Sequence, residues 1–296
     1  MLKKINFLYL FLILFIFLFF MPNFKLDSRE DGLIEKYSPQ VWNSKYDPKK
    51  ENLILLHSFP TNSILLRGLG NYLGDYFNLY FLDLPGFVDQ IPPLKEVSVE
   101  NYVSYVQDQI IELDLENYFI GGISFGFLIA NKIADNDNCL GVLAMEPFLN
   151  INQTKVSRSK QFFSNNFIKL ISLTSSYNFV WNNSLFRFFL YLGNSREQIT
   201  LLFKTVDPKT FFKTGKLLLD YNEKIIFKNK PYVLLINQED QTIDAQAIVE
   251  EFKKNIKKLL VINTTIEHYP KNLLKVYFEN HVAKKDIQSV LDFLAK

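Results

Sequence analysis

A single cysteine, Cys139, is all the chain carries, which excludes an internal disulfide and any cysteine-built metal centre. Histidine is almost as scarce. His57, His268 and His281 are too dispersed for a local metal motif of the H-E-x-x-H kind. Charge of one sign is lacking too: 33 basic and 31 acidic residues give a formal net charge of +2. The basic residues are scattered, and no nucleic-acid-binding signature occurs. Phenylalanine, by contrast, is abundant, with 29 among 296 residues. The length suffices to bury a full core, as one large domain or one domain with an insertion.

The N-terminus has a character of its own. After MLKK comes an uninterrupted apolar and aromatic run, Phe7 to Met21. As a helix it would span roughly 22 Å, short of the ~30 Å hydrocarbon layer unless Ile5, Asn6 and flanking residues join it. No small-x-small cleavage site follows, since Phe19, Phe20 and Met21 are bulky. Residues 1–22 are therefore expected to form an uncleaved transmembrane anchor. Lys3 and Lys4 would stay cytoplasmic, with the rest of the chain on the non-cytoplasmic side of the membrane. A cleaved signal peptide and a secreted protein are the alternative. Residues 23–50, with many charged and polar positions, read as a juxtamembrane linker.

From residue 51 strand-like and helix-like segments alternate. NLILLHSFP, NLYFLDLPG, NYFIGG and CLGVLAMEPF read as short buried strands. SILLRGLGNYLGDY reads as a helix, as does SVENYVSYVQDQIIEL with Ser98 as its N-cap. This alternation predicts an α/β fold with a mostly parallel, doubly wound sheet. Gly68, Gly70 and Gly74 do not make a dinucleotide fingerprint, because the third is out of register and no strand leads into them. Residues 151–228 replace the alternation with successive helical patterns. KPYVLLINQED, AQAIVEEFKKNIKK, LLVIN and KKDIQSVLDFLAK then restore it. The expected organisation is a first core segment at 51–150, a helical insert at 151–228 and a second core segment at 229–296.

One stretch carries the chemistry: NYFIGGISFGFLIANKIA, residues 117–134. Tyr118 to Ile120 have strand character, while Phe127, Leu128, Ile129, Ile133 and Ala134 fall on helical spacing. Between them Ser124 is flanked by Gly122 and Gly126. A serine at the apex of a strained strand-to-helix turn needs small neighbours for the backbones to pass. The helix that follows then leaves free N–H groups beside the hydroxyl. The plain alternative is an ordinary βα turn with Ser124 as an N-cap.

With these segments in order, residues 50 to 296 resemble the α/β-hydrolase family with an inserted helical cap. His57-Ser58-Phe59-Pro60 resembles the family's H-G-x-P oxyanion loop, with Ser58 for the usual glycine. Asp83-Leu84-Pro85-Gly86-Phe87 resembles its D-x-P-G-x turn. Gly122-Ile123-Ser124-Phe125-Gly126 is similar to its nucleophile elbow, with Ile123 where histidine is common and Phe127 where a further glycine often sits. The resemblance implies a triad in the chain order serine, acid, histidine. Ser124 is the implied nucleophile, and Asp240, in Asn237-Gln238-Glu239-Asp240, the implied acid. Glu239 and Asp244 are close neighbours, and Glu146 holds an alternative acid position of the family. His268, which follows LLVIN and precedes Tyr269-Pro270, is the implied histidine; His281, close to the last helix but farther from Asp240, is the alternative. His57 is expected to brace its loop.

The resemblance further implies a serine hydrolase working through an acyl-enzyme. The backbone N–H groups of Phe59 and Phe125 would receive the oxyanion, and neither metal nor cofactor is called for. A serine at the elbow argues against the dehalogenase and epoxide-hydrolase branches, which use aspartate there. The insert is aromatic, with Phe162, Phe163, Phe167, Phe179, Trp181, Phe186, Phe188 and Phe189 either lining an acyl or lipid pocket or forming the cap's own core. The expected function is esterase-like or lipase-like cleavage of a modestly hydrophobic small-molecule ester. The alternative is a membrane-tethered, non-catalytic binding protein of the same fold, to which the departures at Ser58, Ile123 and Phe127 point.

Overall fold

The computed structural model describes residues 40–41, 46–191, 195–268 and 277–294. The anchor expected at 1–22 lies outside these residues, and among those described no helix is long and apolar enough to cross a membrane.

Seven strands form one sheet: β1 (Gln40–Val41), β2 (Asn52–Leu56), β3 (Asn78–Leu82), β4 (Tyr118–Ile123), β5 (Cys139–Met145), β6 (Tyr232–Ile236) and β7 (Leu259–Asn263). Their order is β1-β3-β2-β4-β5-β6-β7. All neighbours are parallel except β1, which runs antiparallel to β3. The central strands are apolar on both faces because both faces are covered. Leu53 to Leu56 and the whole of β3 and β6 are buried. Gln40 and Val41, read from sequence as linker, instead pair with Tyr80 and Phe81 and cover the edge of β3. A two-residue strand is too short to leave a periodic trace.

Helices α1 (Arg67–Gly74) and α10 (Lys284–Leu294) close one face of the sheet, while α2 (Val99–Leu113), α3 (Phe125–Ile133) and α9 (Ala245–Asn255) close the other. Ser98 caps α2 as expected, its side chain accepting from the Asn101 N–H. Between β5 and β6 the insert supplies α4 (Arg158–Thr174), α5 (Tyr177–Trp181), α6 (Ser184–Tyr191), α7 (Arg196–Thr205) and α8 (Pro208–Asp220). Ser157, Ser195 and Asp207 cap α4, α7 and α8 by accepting an N–H three residues on.

The insert has an aromatic core of its own. Trp181 stacks 4.3 Å from Phe203 and 5.0 Å from Phe211, and Phe212 packs against Phe186, Phe167 and Tyr177. Phe162, Phe163 and Phe179 are exposed; the side chains of Phe188 and Phe189 lie outside the described set. Buried polar contacts join insert to sheet. Asn62 donates to the Phe87 carbonyl and to Thr205 Oγ1, both at 2.9 Å. The Asp207 N–H reaches the Gly86 carbonyl at 2.8 Å. Gly86 has φ +80°, and a Cβ there would sit 2.3 Å from Thr210 Oγ1. The glycine of the D-L-P-G turn is thus required by the passage of α8.

Phe212→Ala empties the centre of this cluster and is expected to cost about 3–5 kcal/mol. Chemical denaturation monitored by tryptophan fluorescence measures it, and a change under 1 kcal/mol would show that the cluster is not a packed core.

Candidate functional site

Strand β4 ends at Ile123 and α3 begins at Phe125, so Ser124 alone makes the turn. Its backbone lies at φ 48°, ψ −112°, a conformation costing roughly 1–3 kcal/mol that the surroundings must impose. Its N–H donates to the Met145 carbonyl at 3.0 Å, and its carbonyl accepts from Phe127 and Phe148. A Cβ on Gly122 would meet the Phe127 nitrogen at 2.4 Å; one on Gly126 would meet the carbonyl oxygens of Leu56 and His57 at 2.6 Å. Both glycines of the motif are therefore sterically obligatory. The serine side chain makes no capping bond to α3, contrary to the plain N-cap alternative. Its hydroxyl faces the loop that follows β7.

There it meets His268, whose Nε2 lies 3.0 Å from Ser124 Oγ. The loop after β6 brings Asp240 to the same place. Asp240 Oδ1 accepts the N–H groups of Thr242 and Ile243, and Oδ2 accepts the backbone N–H of His268 at 3.0 Å. Three donors thus offset the carboxylate charge, and one of them fixes where the histidine sits. Lys155 Nζ donates to the Asp240 carbonyl. Burial pushes the His268 imidazole down to about 4, outweighing the attraction of Asp240. His268 is accordingly neutral at neutral pH. His281 is elsewhere, its Nδ1 paired with Thr265 Oγ1 at 3.1 Å on an exposed turn. Of the neighbouring acids, Asp244 caps α9. The structure thus brings Ser124, Asp240 and His268 together and leaves His281 out.

Glu146 also belongs to this cluster. It follows β5 with φ 43°, and one acceptor atom each from Glu146, Asp240 and His268 lie within 4.8 Å of one another. Glu146 Oε1 accepts the Asn237 N–H at 2.5 Å, while Oε2 has no hydrogen-bond partner. Burial pushes its carboxyl up to about 9, and the nearby Asp240 charge acts in the same direction. It therefore holds its proton at neutral pH. A cavity of about 40 Å³ lies beside it, lined by Ser58, Ile123, Met145, His268 and Phe278.

The loops around the elbow are tied to each other. His57 Nε2 accepts the Leu84 N–H at 2.9 Å, so the ring proton resides on Nδ1 and is donated to the Ser58 carbonyl at 2.9 Å. Burial lowers its pKa, and the neutral ring joins the H-S-F-P and D-L-P-G loops as a brace. Asp83 reinforces the link by accepting both the N–H and the hydroxyl of Ser63 at 2.6 Å. Phe125 opens α3, where N–H groups lack intrahelical acceptors. Phe59 packs its ring on Phe87 and Phe211.

No family model matches the sequence, and no curated protein matches it. Solved structures do match in shape. A hydrolase from Oleispira antarctica aligns with a TM-score of 0.62 at 16% identity, covering 83% of this chain and 92% of that one. A thermophilic esterase from Thermogutta terrifontis gives 0.56 at 14%, covering 83% and 89%. A haloalkane dehalogenase variant from Bradyrhizobium elkanii gives 0.61 at 15%, covering 84% and 90%. At such identities the likeness speaks for architecture alone, a mostly parallel sheet with helices on both faces. The chain has the α/β-hydrolase fold.

Proposed function

We propose that the protein is a serine hydrolase that cleaves a modestly hydrophobic carboxylic ester. The observation that carries this reading is the 3.0 Å contact between His268 Nε2 and the hydroxyl of Ser124, on a strained turn beside Asp240. Neutral His268 takes the Ser124 proton as Oγ attacks the ester carbonyl. Asp240 stabilises the imidazolium, which then protonates the departing alcohol. Water, activated by the same histidine, releases the acid and restores the serine. The Phe125 and Phe59 N–H groups are the proposed oxyanion donors, together worth several orders of magnitude in turnover. Burial keeps Glu146 protonated. The hydrophobic run at Phe7–Met21 fits an anchor that keeps this domain at a membrane on the non-cytoplasmic side.

Labelling with a fluorophosphonate probe tests the nucleophile. Wild type is expected to label, Ser124→Ala not at all, and His268→Ala at least 100-fold more slowly, with His281→Ala unchanged. A folded wild type that does not label would favour a non-catalytic binding protein.

The pH profile follows from His268. Its neutral form is the base, so kcat/KM persists as pH falls through the ordinary histidine value of 6.5 and declines nearer 4. An acid limb at 6.5 or above, measured on a p-nitrophenyl ester, would contradict the burial of the ring.

Glu146 gives a stability prediction. Its folded pKa lies above the unfolded value of 4.5, so its contribution is complete below 4.5 and declines as pH rises towards 9. Glu146→Gln keeps an acceptor for Asn237 and is expected to stabilise the fold at pH 8 by about 1–3 kcal/mol, with little effect at pH 4.5. Urea titrations at both values measure it. An equal effect at both would mean that Glu146 is ionised.

A further inference from the structure

Charge is distributed unevenly along this nearly neutral chain. Between Glu146 and Glu197 there is no acidic residue, while six basic ones occur: Lys155, Arg158, Lys160, Lys169, Arg187 and Arg196. At the chain's own frequency about five acids would fall there. The rest of the molecule holds the other 27 basic residues and all 31 acidic ones. The first half of the insert is thus a cationic pole on an otherwise slightly acidic protein, and such a dipole orients in an external field.

Helix α4 shows what that pole presents. Its Ile168 and Ile171 are buried towards α8. The opposite face repeats at i, i+4, i+8, i+11 and i+15: Arg158, Phe162, Asn166, Lys169 and Leu173, all exposed. Phe162 is 64% and Leu173 75% exposed, and Phe179 of α5 is 45% exposed. Phe163, its ring 5.6 Å from that of Phe162, widens the strip. Arg158, Lys160 and Lys169 form no ion pair among the described residues. Large apolar side chains interleaved with unopposed cations suit a surface that is apolar inside and anionic at its rim.

We propose that the outward face of α4 docks on an anionic lipid bilayer, with Phe162 and Leu173 entering the headgroup boundary and Arg158, Lys160 and Lys169 meeting lipid phosphates. The helix is too polar to span a membrane and lies in its plane. The covalent chain favours the same occupant. Only eighteen residues separate Met21 from Gln40, a bridge of at most about 65 Å. If the run at Phe7–Met21 lies in a bilayer, the folded body is held within that distance of it. Docking is then intramolecular, so a modest surface suffices. The inference does not depend on catalysis.

The test uses the full chain with Asn166→Cys, which leaves every proposed contact residue in place. Cys139 is fully buried, so an environment-sensitive fluorophore attaches at position 166. After reconstitution into phosphatidylcholine vesicles with or without phosphatidylglycerol, the probe is expected to shift to the blue and be quenched by doxyl lipids only when the anionic lipid is present. High salt should reverse the effect. Each cation near such a surface contributes about fivefold, so Arg158→Gln, Lys160→Gln and Lys169→Gln together should weaken docking on the order of 100-fold. Phe162→Ser with Leu173→Ser should abolish the shift, and a label at exposed Ile111→Cys should not respond. No shift with anionic vesicles overturns the proposal. So does an equal shift in neutral vesicles, or a concentration-dependent shift without lipid, which would make the occupant a second copy of the chain. None of these readouts requires activity, so loss of esterase function leaves the test intact.

Discussion

The approach of Gly126 to the carbonyls of Leu56 and His57 is the constraint on which the rest of the structure depends. With Cβ absent, the first turn of α3 can rest directly on the end of β2, and nothing larger fits within 2.6 Å of both oxygens. That contact lets β4 turn into α3 within a single residue, forcing Ser124 to positive φ. It also sets the elbow against the H-S-F-P loop, so the start of α3 and that loop share one small space. His57 then becomes a fastening: fully buried, it holds the loop after β2 to the loop after β3. A strained turn persists only where its neighbours over-determine it. Here the backbone bonds of Ser124 to Met145, Phe127 and Phe148 do so.

Electrostatics divides the work between two carboxyls that are close in space. Asp240 receives three backbone N–H groups. Glu146, with one backbone donor and an unpartnered oxygen in a largely apolar cavity, is favoured as the acid. Two charges within such a short distance would oppose each other strongly at low effective dielectric. In the proposed mechanism Asp240 is the group that stabilises the imidazole's cation.

Much of this was legible in the sequence, for reasons that differ by residue. Ser124 was legible because its flanking glycines answer to backbone contacts that no other residue permits. The strands were legible because burial on both faces demands apolar runs, and Ser98 because capping leaves a local trace. The histidine was less so: His268 and His281 both stand between the last strand and the last helix, and long-range bonds of His268, to Asp240 and to Ser124, separate them. The state of Glu146 was also hidden, since it depends on how many donors the fold brings and how little solvent it admits. Strand β1 escaped notice because edge pairing by two residues needs only a neighbour's free backbone.

The insert shows why one domain can serve two surfaces. Its aromatic residues divide by position: Trp181, Phe203, Phe211 and Phe212 hold the helices together, while Phe162 and Phe179 face outward. Phe162 is 64% and Phe179 45% exposed, so both keep surface open to contact elsewhere. Attachment to the sheet is apolar as well as polar: the cluster is continuous with the core on that face of the sheet, Phe211 packs on Phe59, and Asn62, Gly86 and the bond between Tyr102 and Thr214 at 3.1 Å add polar joints. The same joints lie on loops that neighbour the elbow, since His57 links its loop to Leu84, two residues before Gly86.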